Sequence, residues 1–299
     1  MFKYKPKTVD EIVIRDFSFE FPDDIDPVWI PNQRVRSHML NGLSLTMPHL
    51  EPYLVKTARE SARGIECEEL LADIRGFCGQ ESQHYKCHRR LNDVLTANGY
   101  PEFAKVEERM DKAWKKLMTK SLEKRLAYGA GFECMTNGFT LWLIKKRLQL
   151  FKNADPHITS FWLMHMIEET EHKTVALDCY MAHSGRYWTR FLGVFHGSFH
   201  VVGWGLIGMM SGLKQDGVLK KPSTWFELAR EIGSMIYNVG PFLLRALKPG
   251  HDARDEIDPS WMHQWTDGYA KMPAEQPIPL LDTEHPDMPV PFETLQAAE

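Results

Sequence analysis

Residues 77–88 (FCGQESQHYKCH) and 161–180 (FWLMHMIEETEHKTVALDCY) carry the pattern that decides the fold, because each contains a Glu-x-x-His pair in a long helical stretch. At about 100° per residue, positions i and i+3 share one face of an α-helix, so each pair can point at one metal ion. Carboxylate plus imidazole favours iron or manganese over metals that prefer thiolates. Two such pairs on separate helices, Glu81–His84 and Glu169–His172, seldom arise together by chance and predict a metal-binding helical bundle.

The region around these motifs has apolar residues at spacings of three and four from about residue 34 to 250. Short breaks rich in Gly, Pro and Asn divide it into helices. The predicted helices cover residues 34–62, 66–98, 101–122, 124–151, 158–183, 187–213 and 223–247. No segment resembles a buried strand followed by a turn and a helix, which excludes a nucleotide-binding α/β fold. We therefore expect an all-α protein, with a ferritin-like four-helix bundle core and additional C-terminal helices.

The two ends of the chain differ from this helical region. Residues 1–32 are expected to form an irregular N-terminal arm, in which the alternating pattern of residues 12–21 permits a short edge strand. Residues 33–250 are expected to form the helical di-metal bundle domain. Residues 251–299 form a C-terminal extension whose proline-rich, acidic tail is either disordered or draped over the bundle.

The composition excludes several classes of protein. The chain has 36 Lys and Arg against 40 Asp and Glu, a net charge of −4, so it lacks the basic surface of a nucleic-acid-binding protein. Its five cysteines are an odd number without CxxC spacing, which argues against a disulfide scaffold and for a reducing compartment. The N-terminal residues lack the apolar core of a secretory signal. We expect a cytoplasmic protein that binds no nucleic acid.

A four-helix carboxylate site also needs one inward Glu from each of the two remaining helices. The first helix offers Glu51, within residues 43–54 (LSLTMPHLEPYL), and the fourth offers Glu133, the only charged residue between Arg125 and Lys145. Burying a lone carboxylate costs several kcal/mol unless it is paired or metal-bound. Two alternatives stay open: Glu51 as a surface acid beside Pro52, and Glu133 as an acid paired with a buried base.

His165 is a seventh candidate ligand, because it precedes Glu169 by four residues and His172 by seven. These offsets place all three within about 60° of arc on one helix face. The alternative for His165 is a core histidine that donates to a carbonyl group.

Three further residues compete for ligand positions or support them. Glu168 is the main rival of Glu169, which we prefer because it forms the i,i+3 pair; we expect Glu168 or Glu171 to hydrogen-bond the ligands from outside. His88 falls between Glu81 and His84 around the second helix, so it is either another supporting residue or a direct ligand.

Taken together, the motifs resemble a bacterial family labelled predicted metal-dependent hydrolases. The resemblance covers about residues 29–265 and rests on residues 29–54, 77–88, 132–138 (FECMTNG), 161–180 and 243–259 (LLRALKPGHDARDEIDP). The ligand order Glu, Glu-x-x-His, Glu, His-x-x-x-Glu-x-x-His is also similar to that of p-aminobenzoate N-oxygenase, a ferritin-like non-haem di-iron enzyme. That similarity implies seven metal ligands: Glu51, Glu81, His84, Glu133, His165, Glu169 and His172.

The main hypothesis is a non-haem di-iron oxygenase or oxidase that uses two Fe ions, or Mn or a mixed Fe/Mn pair, and acts on a lipophilic or aromatic small molecule. Such an enzyme needs O₂ and a separate electron-donor reductase, because the sequence has no flavin or ferredoxin motif of its own. The alternative is a metal-dependent hydrolase whose dinuclear site activates water. A third hypothesis is a ferritin-like metal-binding protein.

Residues 191–213 (FLGVFHGSFHVVGWGLIGMMSGL) contain no Asp, Glu, Lys or Arg and are long enough to cross a bilayer. Three interpretations stay open: a buried bundle helix, an interfacial helix that dips into lipid, and a transmembrane span. Five basic residues flank the segment, as an element at a membrane surface requires: Arg186, Arg190, Lys214, Lys220 and Lys221. The interfacial interpretation predicts a protein peripheral to the inner membrane. A homodimer is left open.

Overall fold

The computed structural model describes residues 2–9, 11–16, 19–273 and 275–292, and these residues form helices joined by loops, with no strand among them. The prediction of an all-α protein is therefore confirmed. The α-helices are α1 (Arg34–Ala62), α2 (Glu68–Ala97), α3 (Glu102–Met118), α4 (Leu122–Lys145), α5 (Arg147–Phe151), α6 (Pro156–His172), α7 (Val175–His183), α8 (Tyr187–Gln215), α9 (Pro222–Ala246) and α10 (Ser260–Ala270).

Two of the predicted helices are divided in the structure. The segment 124–151 separates into α4 and α5 at Lys146, and the segment 158–183 separates into α6 and α7 at Lys173 and Thr174. At the second break, the buried Lys173 amine donates to the carbonyl oxygen of Glu256 and to Asp258, each at 2.6 Å. The apolar pattern continues through both breaks, so helical periodicity does not reveal them.

The predicted four-helix bundle consists of α1, α2, α4 and α6. Helix α1 packs on α2, α4 packs on α6, and contacts from α1 to α4 and from α2 to α6 close the bundle. Two prolines, Pro48 and Pro52, lie inside α1 on either side of Glu51, where they remove backbone N–H donors from the helix. Glu51 is nevertheless 2% exposed, so its interpretation as a surface acid is wrong.

Helix α8 lies outside the bundle, along α1 and α4, in direct backbone contact. A Cβ atom on Gly193 would lie 2.2 Å from the Ala127 carbonyl oxygen, and one on Gly197 would lie 2.4 Å from that of Tyr128. The helix can therefore approach this closely only where no side chain intervenes. We call the contact the glycine seam; it is formed by Gly42, Gly131, Gly193, Gly197 and Gly205.

Within the described part of the chain, α8 is the one helix long and apolar enough to cross a membrane. Only 39% of its most apolar stretch is buried inside the protein. The glycine seam forms the buried side, whereas Trp188, Leu192 and Phe199 are exposed. The structure thus shows a helix of the bundle periphery with an apolar outer face.

The N-terminal arm is extended, and its described residues contain no strand, contrary to the expectation for residues 12–21. Ile12 packs on Gly76 of α2. The ring centroids of Phe19 and Phe21 lie 6.2 and 5.8 Å from that of Phe161 in α6. Ile12, Phe19 and Phe21 are thus buried against the bundle, whereas Ile14 is 52% exposed, so burial follows the alternating pattern only in part.

The C-terminal extension also packs on the helical domain. It contains α10, which the sequence did not predict, and a tail that is draped over the bundle through residues 275–292. In the tail, the Leu281 amide donates to the Ser160 hydroxyl at 2.8 Å, and the Thr283 carbonyl accepts from the Asn153 amide at 2.9 Å. Residues 293–299, for which the tail prediction was also made, lie outside the described residues.

Candidate metal centre

The seven predicted ligands converge at the centre of the four-helix bundle. Each side chain is at most 4% exposed: Glu51 from α1, Glu81 and His84 from α2, Glu133 from α4, and His165, Glu169 and His172 from α6. The structure therefore brings together all seven residues, and the two Glu-x-x-His pairs face the same space.

Within this cluster, the donor atoms form four groups of three whose members lie within 4.8 Å of one another. One group consists of Glu81, Glu133 and His172, and another consists of His84, His165 and Glu169. These two groups share no residue, so two ions fit without competing for a ligand. The remaining two groups are Glu51–Glu81–His84 and Glu51–His88–His165.

Three glutamates of the cluster lack the hydrogen-bond partners that buried carboxylates normally have. Both carboxylate oxygens of Glu51, Glu81 and Glu133 are buried, and none accepts a hydrogen bond from a described donor. The nearest nitrogen atoms are those of histidines, with His88 Nε2 at 3.8 Å from Glu51 and His172 Nε2 at 3.6 Å from Glu81. Burying carboxylates without hydrogen bonds costs on the order of several kcal/mol each. A donor set of oxygen and imidazole atoms that needs compensating positive charge fits divalent metal ions.

The pKa values of the four glutamates are shifted in two different directions. Burial, and then the charge of Glu169, raise the pKa values of Glu51, Glu81 and Glu133 well above the ordinary value. Burial also opposes ionisation of Glu169, but the charge of His172 and hydrogen bonds from His165 and His172 outweigh it and hold the Glu169 pKa well below the ordinary value. Glu169 is thus the carboxylate that stays ionised most readily.

Glu168 orients His84 from outside the cluster. The Glu168 Oε2 atom lies 3.0 Å from Nε2 of His84, while Nδ1 of the same ring faces Glu169 Oε1 at 3.7 Å. Because a carboxylate accepts the proton on Nε2, Nδ1 keeps its lone pair for an ion. This is the supporting position expected for Glu168, and the preference for Glu169 inside the cluster agrees with the geometry.

Gln80 supports His172 in the same way, although the sequence did not single it out. Its Oε1 atom lies 2.7 Å from Nδ1 of His172, which leaves Nε2 of that ring facing Glu169 and Glu81 at 3.4 and 3.6 Å. The Gln80 amide in turn donates to Glu171 at 2.7 Å. Glu171 therefore lies one residue further from the cluster than expected. The available signal was the position of Gln80, directly before the first Glu-x-x-His.

Arg15 joins these two supports and was missed by sequence reasoning. Its buried guanidinium contacts Glu168 Oε1 at 3.1 Å and forms a two-pronged pair with Glu171 at 2.6 and 2.8 Å. The rings of Trp265 and Tyr269 lie beside it, with centroids 5.4 and 4.9 Å from Cζ. Nothing in the sequence indicates that the N-terminal arm reaches this position.

An apolar cavity of about 40 Å³ borders the cluster, with room for a few water molecules. Glu51, Glu81 and Glu169 form its polar wall. Val202 of α8 and Met235 of α9 also line it, and both are partly exposed. The cavity therefore brings the carboxylates close to side chains of α8 and α9 that reach the surface.

The model of a family described as predicted metal-dependent hydrolase matches residues 13–256. No curated protein and no solved structure matches the chain. The match confirms the family resemblance drawn from the motifs. It contradicts the main hypothesis of a di-iron oxygenase or oxidase, because the family is described by hydrolysis, and it supports the alternative of a metal-dependent hydrolase. O₂ and a reductase were expected only under the oxygenase hypothesis.

Proposed function

Because the chain belongs to the predicted metal-dependent hydrolase family, we propose that the bundle centre binds two divalent metal ions and hydrolyses a small, largely apolar substrate. The observation that carries the proposal is the buried cluster of carboxylates and histidines directly beside an apolar cavity. A metal-dependent family and several buried His/Glu clusters together suggest a dinuclear site.

The charge of the cluster supports two ions rather than one. Glu51, Glu81, Glu133 and Glu169 carry four negative charges when ionised, which two divalent cations balance, while neutral imidazoles add none. Most single catalytic zinc sites use three protein ligands, fewer than the seven residues assembled here. Iron and manganese are both compatible with these ligands, and metal analysis decides between them.

The chemistry that such ions would supply when bound is polarisation of the scissile group and a lowered pKa for a nucleophilic water molecule. The protein's own contribution is to hold the donors in place: Glu168 and Gln80 fix the rings of His84 and His172. Trp162 and Phe132 line the cavity and limit access of bulk water to the reacting end. Apolar side chains of α8 and α9 that line the cavity, among them Val202 and Met235, would contact the apolar part of a substrate.

The direct test combines metal analysis with hydrolysis in the absence of O₂. Protein produced with iron or with manganese is expected to hold two metal ions per chain by mass spectrometry. Under anaerobic conditions it is expected to hydrolyse at least one member of a panel of chromogenic esters, amides and phosphodiesters. A chelator should abolish turnover, and added metal should restore it.

Glu133→Gln is the informative variant, because it keeps the side-chain shape but removes a carboxylate from one of the metal groups. We expect loss of at least one metal ion per chain and of turnover. Glu107→Gln is the matched control: Glu107 is a partly buried carboxylate that pairs with Arg89 at 2.9 Å, outside the cluster. Two bound metals without any hydrolysis would contradict the proposal and favour the third hypothesis, a metal-binding protein. Turnover that requires O₂ and a reductant would also contradict it.

A further inference from the structure

Helices α8 and α9 each present large apolar side chains to solvent. On α8, Trp188 and Leu192 are 70% and 66% exposed; on α9, Phe226 and Tyr237 are 74% and 81% exposed. We call this surface the outer apolar face; it also includes Phe199 and Ile236. Exposed apolar surfaces of this extent usually mark an interaction site.

The arrangement follows from the sequence of each helix. Exposed apolar residues occupy positions 188, 192, 195 and 199 of α8, a stripe on one side of the helix, while the glycine seam occupies the other side. In α9, residues 232–244 contain no charged residue, although Ile236, Tyr237 and Leu244 are exposed. Both helices therefore direct apolar residues outward as well as inward, which a helix facing only water does not do.

Basic residues surround the outer apolar face. Residues 187–250 contain seven Lys and Arg and three Asp and Glu, in a chain whose net charge is −4. Two of the three acids are paired within the protein: Asp216 with Arg34 at 2.5 Å, and Glu231 with Arg36 at 2.9 Å. Three of the basic residues are also engaged: Arg190 is buried, Arg230 pairs with Glu231 at 3.0 Å, and Arg245 pairs with Glu256 at 2.6 Å. The exposed basic residues without a described ion pair are Lys214, Lys220, Lys221 and Lys248.

Exposed lysines lie near both ends of α8. Lys214, Lys220 and Lys221 lie at the junction between α8 and α9. Near the start of α8, Lys120 and Lys124 line a surface cleft together with Trp188 and Leu192. Apolar side chains flanked by lysines at both ends match an anionic lipid surface, which takes the apolar residues below its headgroups and pairs the lysines with them.

We propose that the outer apolar face docks onto the surface of an anionic lipid bilayer, with α8 and α9 lying along the membrane. A second copy of the chain would bring the same basic residues to the contact, whereas anionic headgroups compensate them. Docking would also place against lipid the two helices whose side chains line the cavity beside the metal centre. The docking does not depend on the proposed hydrolysis.

Co-sedimentation with vesicles tests the proposal. At low salt, the full chain is expected to pellet with vesicles of equal parts phosphatidylcholine and phosphatidylglycerol, and much less with pure phosphatidylcholine. Leu192→Ser with Ile236→Ser should weaken binding at least about tenfold, because two large apolar side chains no longer enter the lipid. Lys220→Glu with Lys221→Glu should weaken vesicle binding by a similar factor. Added salt should also weaken vesicle binding.

Ile14→Ser is the matched control, because Ile14 is also an exposed isoleucine, 52% accessible, but packs on Gly79 of α2. Circular dichroism and metal content should be unchanged in all of these variants. Failure of the wild-type chain to pellet with anionic vesicles would overturn the proposal, as would equal loss of binding in the Ile14 control. Concentration-dependent dimerisation that the α8 and α9 variants abolish, without vesicle binding, would overturn it in favour of a second copy.

Discussion

The Nε2 atom of His88 lies 3.0 Å from the Nδ1 atom of His165, and Nδ1 of His88 lies 2.8 Å from the hydroxyl oxygen of Ser44. Both nitrogens of His88 are thus engaged, and the Ser44 hydroxyl donates onward to Asn92 at 2.6 Å. Nε2 of His165 lies 2.9 Å from Glu169 Oε1 in the structure. If each group donates to the next when metal is bound, Nδ1 of His165 would carry the proton and Nε2 would offer its lone pair to the ion in place of that hydrogen bond. The relationship favours a supporting position for His88 over direct ligation.

Replacing His88 by Phe should therefore weaken metal binding without removing a ligand. The ring shape is kept beside Phe161 and Trp162, whose centroids lie 4.6 and 5.3 Å away, but the acceptor for His165 is lost. We expect the metal dissociation constant to rise about 10- to 100-fold, measured by competition with a chelator. His88→Gln should recover part of the affinity. Unchanged affinity in His88→Phe would exclude this support, and complete loss of one ion would instead make His88 a ligand.

Arg15→Lys should likewise weaken metal binding, because lysine keeps the charge but cannot hold Glu168 and Glu171 with a planar fork. An increase of about tenfold in the dissociation constant is expected from loosened supports of His84 and His172. Arg254→Lys is the control: Arg254 pairs with Asp178 at 2.5 Å and with arm carbonyls, away from the cluster. Equal effects of the two substitutions on metal affinity would show that Arg15 acts only by fixing the arm.

The metal-free protein should lose stability as the pH rises above about 6.5. The folded-state pKa values of Glu51, Glu81 and Glu133 are raised, so their contribution to stability is present at low pH and is lost as the pH rises through those values. His84 and His88 have lowered pKa values and act in the opposite sense, but only below their ordinary value of 6.5.

Melting temperatures between pH 6.5 and about 8 check this prediction, because the glutamates dominate the slope there. The metal-loaded protein is the comparison: bound cations stabilise the ionised carboxylates, so its melting temperature should be higher and should vary less with pH. Equal curves with and without metal would indicate that the cluster does not bind the ions.

Two glycines of α8 should respond oppositely to alanine. A Cβ atom on Gly197 would lie 2.4 Å from a backbone oxygen of α4, so Gly197→Ala should lower stability by about 1–3 kcal/mol. Nothing lies within 4 Å of a Cβ on Gly203, where alanine should raise stability by up to about 1 kcal/mol through helix propensity. Calorimetry of the two variants measures both effects. If both substitutions lowered stability, the space around a glycine would not explain the response of α8 to alanine.

Much of the fold follows from residue spacing alone. Helical periodicity gave most helices nearly correct bounds, because long amphipathic segments repeat the same signal over many turns. Glu133 could be predicted as a central residue because a lone charge in an apolar helix needs compensation. The structure places it in the cluster at 1% exposure, and its ligation of a metal stays a prediction.

The parts that sequence did not reveal depend on contacts between distant segments. Arg15 lies more than 150 residues from Glu168 and Glu171, and no local pattern indicates their meeting. Helix α10 is short and contributes Trp265 beside Arg15, so its position is set by tertiary packing rather than by its own periodicity. Only the folded chain shows which polar residues hydrogen-bond the histidines of the cluster.

The glycine seam also limits how the cluster can respond to ions of different radius. A Cβ on Gly131 would lie 2.2 Å from the carbonyl oxygen of Gly193. Gly131 is two residues from Glu133, so at this point α4 cannot move closer to α8. Backbone pressed on backbone resists compression. A larger ion must then be accommodated by rotation about the torsions of Glu133, because α4 cannot retreat as a body. The range of ionic radii that the centre accepts would then depend on the conformations available to the Glu133 side chain, and not on movement of α4 relative to α8.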